Sequence, residues 1–284
     1  MKYNVWLGLL LVTAVSTVTL FAAESLLERR YKDGEKLTYK MHGLNNNWKY
    51  EIQANGVVME SGGKLFEEYG WTGMTGIDLS AASLAFRQKL SLSPNFTLTV
   101  PDLSKVQPQM IGPITDLLTF YADMQVAQHG QLSKAGDHYY FKHGAPNSWA
   151  DGAYYVLGQD SIDFDVTLTK VDAANKIADL NVRHVPPQNP EIKLPAEWMR
   201  KPVADTPNNW VEVAKQDGKY IAEVGKETFD VKISVDLTDG KILAAGLENP
   251  VEVLKRECTD EELTKCGEGT RSRTFRKIDI ELVR

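Results

Sequence analysis

The sequence predicts a mainly β (α+β) fold, an antiparallel sheet of about ten strands curled around one long helix in a half-barrel-like arrangement. Three observations carry this. Apolar and polar residues alternate in short runs from Lys36 to the C-terminus. Clusters of Gly, Asn and Asp separate those runs. One stretch, Pro113 to His129, changes to a helical period.

In that stretch Ile114, Leu117, Leu118, Tyr121 and Met124 form one apolar stripe, while Asp116, Thr119 and Asp123 fall away from it. Gly112-Pro113 suits a helix start. Asp116 is expected in the first turn, where the macrodipole favours an acid, and Gly130 as a left-handed C-cap.

Residues 1 to 25 are set apart from the fold. Lys2 precedes an uncharged run from Tyr3 to Ala23, and Ala23-Glu24-Ser25 has the small-x-small form of a cleavage site. This reads as a signal peptide, so the protein is expected to be periplasmic or secreted. The alternative is an uncleaved membrane anchor, because Val5 to Ala22 approaches the length of a span. Residues 26–284 are expected to form a single β-rich domain with a Pro-rich crossing segment at 186–209.

The elements follow in order. Lys36 to Met41 begins the first strand after the turn at Tyr31-Lys32-Asp33-Gly34-Glu35. Trp48, Tyr50 and Ile52 alternate with polar residues, and Asn55-Gly56 is expected to turn the chain into Val57, Val58 and Met59. Gly-rich Tyr69 to Ile77 reads as a loop with Trp71 and Met74 as anchors. Leu84 to Leu92 reads as a strand, with a short helical turn at Ala81 to Leu84 as the alternative, and Phe96, Leu98 and Val100 alternate again. Asn95-Phe96-Thr97 has the form of a glycosylation sequon.

After the helix, Tyr139 to His143 is a short strand and Lys142 to Tyr155 a loop. Ile162 to Thr169 and Ala178 to Val182 form a hairpin that pairs Leu168 with Leu180, Val166 with Val182 and Phe164 with His184. Its turn is expected to be the three residues Ala173 to Asn175, with Asn175 left-handed. The segment from Pro186 to Asn209 holds six of the twelve prolines, and its Trp198 and Met199 are expected to dock on the sheet. Trp210 to Ala214 turns at Asp217-Gly218 into Tyr220 to Val224. Phe229 to Val235 pairs with Ile242 to Leu247, setting Val235 opposite Ile242, Ile233 opposite Ala244 and Val231 opposite Gly246. Large residues then face small ones, leaving room on the inner face. Val251 to Leu254 and Thr274 to Val283 complete the sheet.

The formal charge is -6, and it repels phosphate backbones and anionic membranes, so no nucleic acid is expected as a partner. Arg271, Arg273, Arg276 and Lys277 read as a solvated strand face. Cys258 and Cys266 are expected to close a local disulfide. No cofactor and no metal are expected: His129, Asp137, His138 and His143 match no ligand spacing. Ser148 lacks a nucleophile elbow, and no Gly-rich loop cradles a phosphate. Asp163 and Asp165 share a strand face with Thr167 and Thr169, as a solvated surface would. His184, on an otherwise apolar face, needs a partner or a neutral state.

Tyr31 to Tyr39 (YKDGEKLTY) and Val235 to Leu243 (VDLTDGKIL), with the signal, resemble uncharacterised exported bacterial proteins, and are weakly similar to periplasmic lipoprotein-carrier-like half-barrel proteins. The resemblance implies a periplasmic location and a concave apolar face for a lipid-like ligand, and it supplies no catalytic residues. The expected function is therefore non-enzymatic binding of an apolar or amphipathic ligand. His184, Phe164, Tyr121, Trp198 and Met199 are the candidate ligand contacts. The alternatives are a periplasmic hydrolase using Asp163 and Asp165 or His138 and His143, and an envelope scaffold whose edge strands pair with a partner.

Overall fold

The structure, a computed structural model, describes residues 26–283 apart from 74, 76–77, 94–95, 143–147, 152–153, 159–162, 186–195 and 207. The expected signal at 1–25, Asn95 of the sequon and His143 lie outside these residues. Fourteen strands among the described residues form one open antiparallel sheet, more than the ten expected. The first four are β1 (Lys36–Asn45), β2 (Trp48–Ser61), β3 (Lys64–Thr72) and β4 (Gln88–Leu90). Then come β5 (His138–Phe141), β6 (Ser148–Asp151), β7 (Tyr154–Gly158), β8 (Asp163–Asp172) and β9 (Ile177–Val185). The last five are β10 (Trp210–Gln216), β11 (Lys219–Glu227), β12 (Phe229–Asp236), β13 (Ile242–Cys258) and β14 (Thr270–Leu282).

The sheet runs β4-β3-β2-β1-β14-β13 and then divides. The first half of β13, Ala244 to Glu248, pairs with β12, which leads to β9, β8 and β5. The second half, Val251 to Cys258, pairs with β11, which leads to β10, β7 and β6. β14 flanks both halves. Pro250 sits at the division. Its carbonyl accepts from Thr228 N at 3.2 Å, so its missing N–H would have pointed into the gap where β12 gives way to β11, and a central strand tolerates it there.

The expectation of a single helix is not met: the described residues carry two α-helices, α1 (Ala81–Ala85) and α2 (Pro108–His129). α2 begins five residues before the expected start, with proline in its first turn, which leaves Asp116 two turns inside. The dipole argument for Asp116 therefore fails. Gly130 is right-handed (φ -71°), and the positive φ falls on Gln131. Gly130 is needed for another reason: a Cβ there would lie 2.7 Å from Tyr139.

α2 packs on one face of the sheet, where Ile114, Leu117, Phe120, Tyr121 and Met124 join Tyr39, Ile52, Trp71, Leu168, Leu180, Ile233 and Ile280 in the main core. A second, smaller core lies on the β10–β11 branch. There Ala196, Met199 and Val203 pack against Val211, Val213, Ala222, Val224, Cys258 and Leu263.

Several local expectations are corrected. Asn55-Gly56 does not turn; β2 runs straight through it, and the turns fall at Asn46-Asn47 and Gly62-Gly63. Gly56 instead leaves space for the ring of Tyr69, which a Cβ would meet at 2.4 Å. Tyr69 to Thr72 is strand rather than loop, Phe96 to Val100 is not strand, and residues 148–158 hold β6 and β7. Ile242 to Leu254 is one continuous strand. The β8–β9 pairs Leu168–Leu180, Val166–Val182 and Phe164–His184 are present, but a bulge follows Leu168 and the positive φ is on Lys176, not Asn175. In β12–β13 a bulge between Ser234 and Val235 shifts the register after Val235–Ile242. Ile233 then faces Ala245, Val231 faces Leu247, and Ala244 and Gly246 turn to the opposite face from α2.

Candidate functional site

Three polar constellations stand out, two beneath α2 and one on the sheet face away from it. The first is a seam along α2. Asp116 and Asp123 lie seven residues apart on one side of the helix, and both are fully buried, contrary to their expected exposure. His184 Nε2 lies 2.7 Å from Asp123 Oδ1, with its ring between Phe164 (4.7 Å) and Phe229 (4.8 Å). Arg276 Nη1 lies 3.3 Å from Asp116 Oδ1. Tyr50 Oη faces the same carboxylate without reaching hydrogen-bond geometry. Gly43 opposite makes this possible, since a Cβ there would fall 2.0 Å from the Tyr50 ring.

Burial raises the carboxyl pKa of both aspartates, and Arg276 and His184 pull them back only in part. Burial likewise raises Glu227, beside Arg276 and His184. Among the described residues, ten buried side-chain polar atoms lack a hydrogen-bond partner, and six are in this seam: Tyr50 Oη, both Asp116 oxygens, Asp123 Oδ2, His184 Nδ1 and Arg276 Nε. Such a concentration is costly in a core.

The second constellation surrounds Glu67 of β3. Arg29 donates to it from Nε at 3.2 Å and to Glu35 from Nη2 at 2.8 Å. Tyr69 donates to Glu67 at 3.0 Å, and Tyr121 of α2 donates to the same oxygen. Burial pushes Glu67 up to about 7, although Arg29 and Tyr69 favour its ionised form. Burial lowers Arg29, but the two glutamates outweigh it and keep the guanidinium charged.

The third is a groove of about 1270 Å³ on the helix-free face. Ala244, Gly246 and Ser234 lie along its middle, with Leu243, Leu282 and Val283 beside them. Asp279 and Glu281 of β14 form one wall, backed by Lys40 and His42 of β1; Lys232, Asp179 and Lys170 form the other. Lys40 pairs with Glu51 at 3.3 Å and Asp279 with Lys277 at 3.9 Å, so the rim carries both signs.

The five expected ligand contacts are distributed over three places. His184 and Phe164 adjoin in the seam, and Tyr121 belongs to the Glu67 constellation. Trp198 and Met199 are in the second core, where Trp198 Nε1 donates to Leu263 O at 2.9 Å and Arg256 stacks on the indole at 4.9 Å. Cys258 and Cys266 are disulfide-bonded. Asp163 and Asp165 do face one side of β8, where Asp163 accepts from Tyr140 at 2.9 Å and Asp165 contacts His138. Among the described residues no group of acids, histidines or cysteines is arranged to hold a metal, and no helix is long and apolar enough to cross a membrane.

The buried acids escaped the sequence reading because helical periodicity assigns charged residues to solvent. One signal was available: Asp116 and Asp123 share a helix side only two turns apart, a spacing as regular as the apolar stripe beside it. Neither a protein-family model, nor a curated protein, nor a solved structure matches this chain.

Proposed function

We propose that the chain is an exported, non-enzymatic protein that binds an amphipathic ligand, and that the ligand lies in the groove on the helix-free face. One observation carries this reading. The space between α2 and the sheet is filled by Leu117, Phe120 and Tyr121, all essentially unexposed, while the groove on the other face stays open at about 1270 Å³. That volume exceeds the roughly 300–1,000 Å³ of common small-molecule pockets and suits a chain with a headgroup. Small residues along the middle admit an apolar body closely, and the mixed rim suits a zwitterionic or polar end. Export rests on the apolar run before Ser25.

Fluorescent single-chain phospholipid titrated into the protein tests this, with native mass spectrometry to count bound molecules. Saturable binding is expected, weakened about tenfold or more by Ala244→Trp, which fills the groove from its middle without touching the core. Absence of saturable binding, or equal binding by the folded variant, rejects the groove.

A second reading, glycoside or ester hydrolysis, draws on the Asp163–Tyr140 and Asp165–His138 contacts. The two carboxylates share one face of β8, as an acid and base flanking a glycosidic bond would need. Turnover on a substrate panel that Asp163→Asn abolishes would favour it; rates at background for both proteins would remove it.

A further inference from the structure

Residues 26–31 run over the main core as irregular chain with Glu28 and Arg30 exposed, while the side chains of Leu27 and Arg29 are wholly buried. A buried arginine in such a segment is held by a receptor, and the receptor is built by other parts of the chain. Glu67 holds the guanidinium at 3.1 Å from Nη2, and Glu35 at 2.8 Å. The Tyr69 and Tyr121 hydroxyls hold the second oxygen of Glu67, so the position of this carboxyl is fixed by groups outside the segment.

The segment's backbone is received as well. Arg30 N donates to Asp239 O at 2.7 Å, and Gln128 Nε2 of α2 donates to Leu27 O at 2.9 Å. Gly240 has a φ of 72°, and a Cβ there would come within 2.2 Å of Glu28 O. Sheet pairing starts only afterwards, where Val58 bonds to Gly34 and Glu35, and the turn at Gly34 (φ 72°) separates the two regions.

We propose that this pocket is a peptide-binding site for an extended, arginine-bearing segment, and that Leu26 to Tyr31 occupy it as a detachable intramolecular ligand. The recognised pattern is an apolar residue two positions before an arginine: the first fills the hole taken by Leu27, the second meets Glu67 and Glu35. A partner segment with this pattern displaces the chain's own. The site is distinct from the groove on the opposite face and does not depend on its ligand.

A protease site placed between Lys32 and Asp33 of the full chain lets the folded protein be nicked after folding. Labelled peptide of sequence LLERRY is then added, and uptake is followed by fluorescence anisotropy. The nicked protein is expected to keep its circular dichroism and take up the peptide saturably, and the intact protein to take up far less. A peptide with the Arg29→Ala change is expected to compete about tenfold or more less well, the loss of a charge-assisted pair. Unfolding on nicking, no uptake, or equal competition by the alanine peptide overturns the proposal.

Discussion

Glu67 carries a proton-linked share of the stability. Its carboxyl is raised from 4.5 to about 7 by burial, so its contribution is complete below about pH 4.5 and is lost as pH rises through 7. Asp116, Asp123 and Glu227 are raised as well and act in the same direction. Burial raises Glu35, but Arg29 and Lys241 outweigh it and hold its carboxyl below the usual value, so its contribution fades only in acid, below this window. The urea midpoint is therefore expected to fall between about pH 4.5 and 7, with Glu67 alone worth on the order of 3 kcal/mol across its full shift. Glu67→Gln leaves Arg29 with Glu35 and lowers stability overall, but the slope against pH flattens. An unchanged slope places the titration on another group. None of these acids was legible as buried, because a pattern reading of Glu67 or Asp116 registers their charge and not the Arg29 or Arg276 that meets them from 38 or 160 positions away.

Paired strands place the tyrosines that serve both buried constellations, and glycines place the tyrosines. Tyr50 lies across Gly43, and Tyr69 across Gly56. Gly56→Val is expected to push the Tyr69 ring away from Glu67 and Tyr121 and to cost more than about 3 kcal/mol in chemical denaturation, overpacking added to broken hydrogen bonds. Gly63→Ala, in a turn with open space but a φ of 72°, is expected to cost only about 1–2 kcal/mol. Similar losses at both sites would mean that Gly56 is not there for the ring. This explains how Asn55-Gly56 misled the reading: the same dipeptide that makes a turn also admits an aromatic ring, and only the neighbouring strand decides. The β8–β9 pairs were legible because Phe164, Val166 and Leu168 alternate without interruption against Leu180, Val182 and His184. The bulge at Ser234 and Val235 was not, since an extra residue in a strand leaves no mark in composition, yet it moved Ala244 and Gly246 to the groove.

At the scale of the molecule, β13 contributes to both cores, Ile242, Ala245 and Leu247 to the main one and Cys258 to the smaller, and Pro250 marks where its neighbour changes. The smaller core is closed by the disulfide loop: Leu263 is fully buried in it, Trp198 is tied to Leu263 O, and Asn208 holds Met199 O at 2.9 Å and Lys201 O at 2.8 Å. Arg271 secures Val203 O at 3.0 Å from β14. The Cys258–Cys266 bond closes a short loop, worth roughly 2.5 kcal/mol in the chain-entropy account. That constraint acts on the second core and has no contact with α2 or the Glu67 pocket, whose apolar partners belong to the main core. Replacing both cysteines with serine is therefore expected to raise hydrogen exchange in β10, β11 and residues 196–206 and to change the near-ultraviolet signal of Trp198. Exchange in α2, β1 and β12 is expected to stay as it was, because the ladders of β13 with β12 and β14 remain intact up to Glu248. If exchange rises equally in α2, the division at Pro250 does not insulate the branches, and the two cores unfold as one unit.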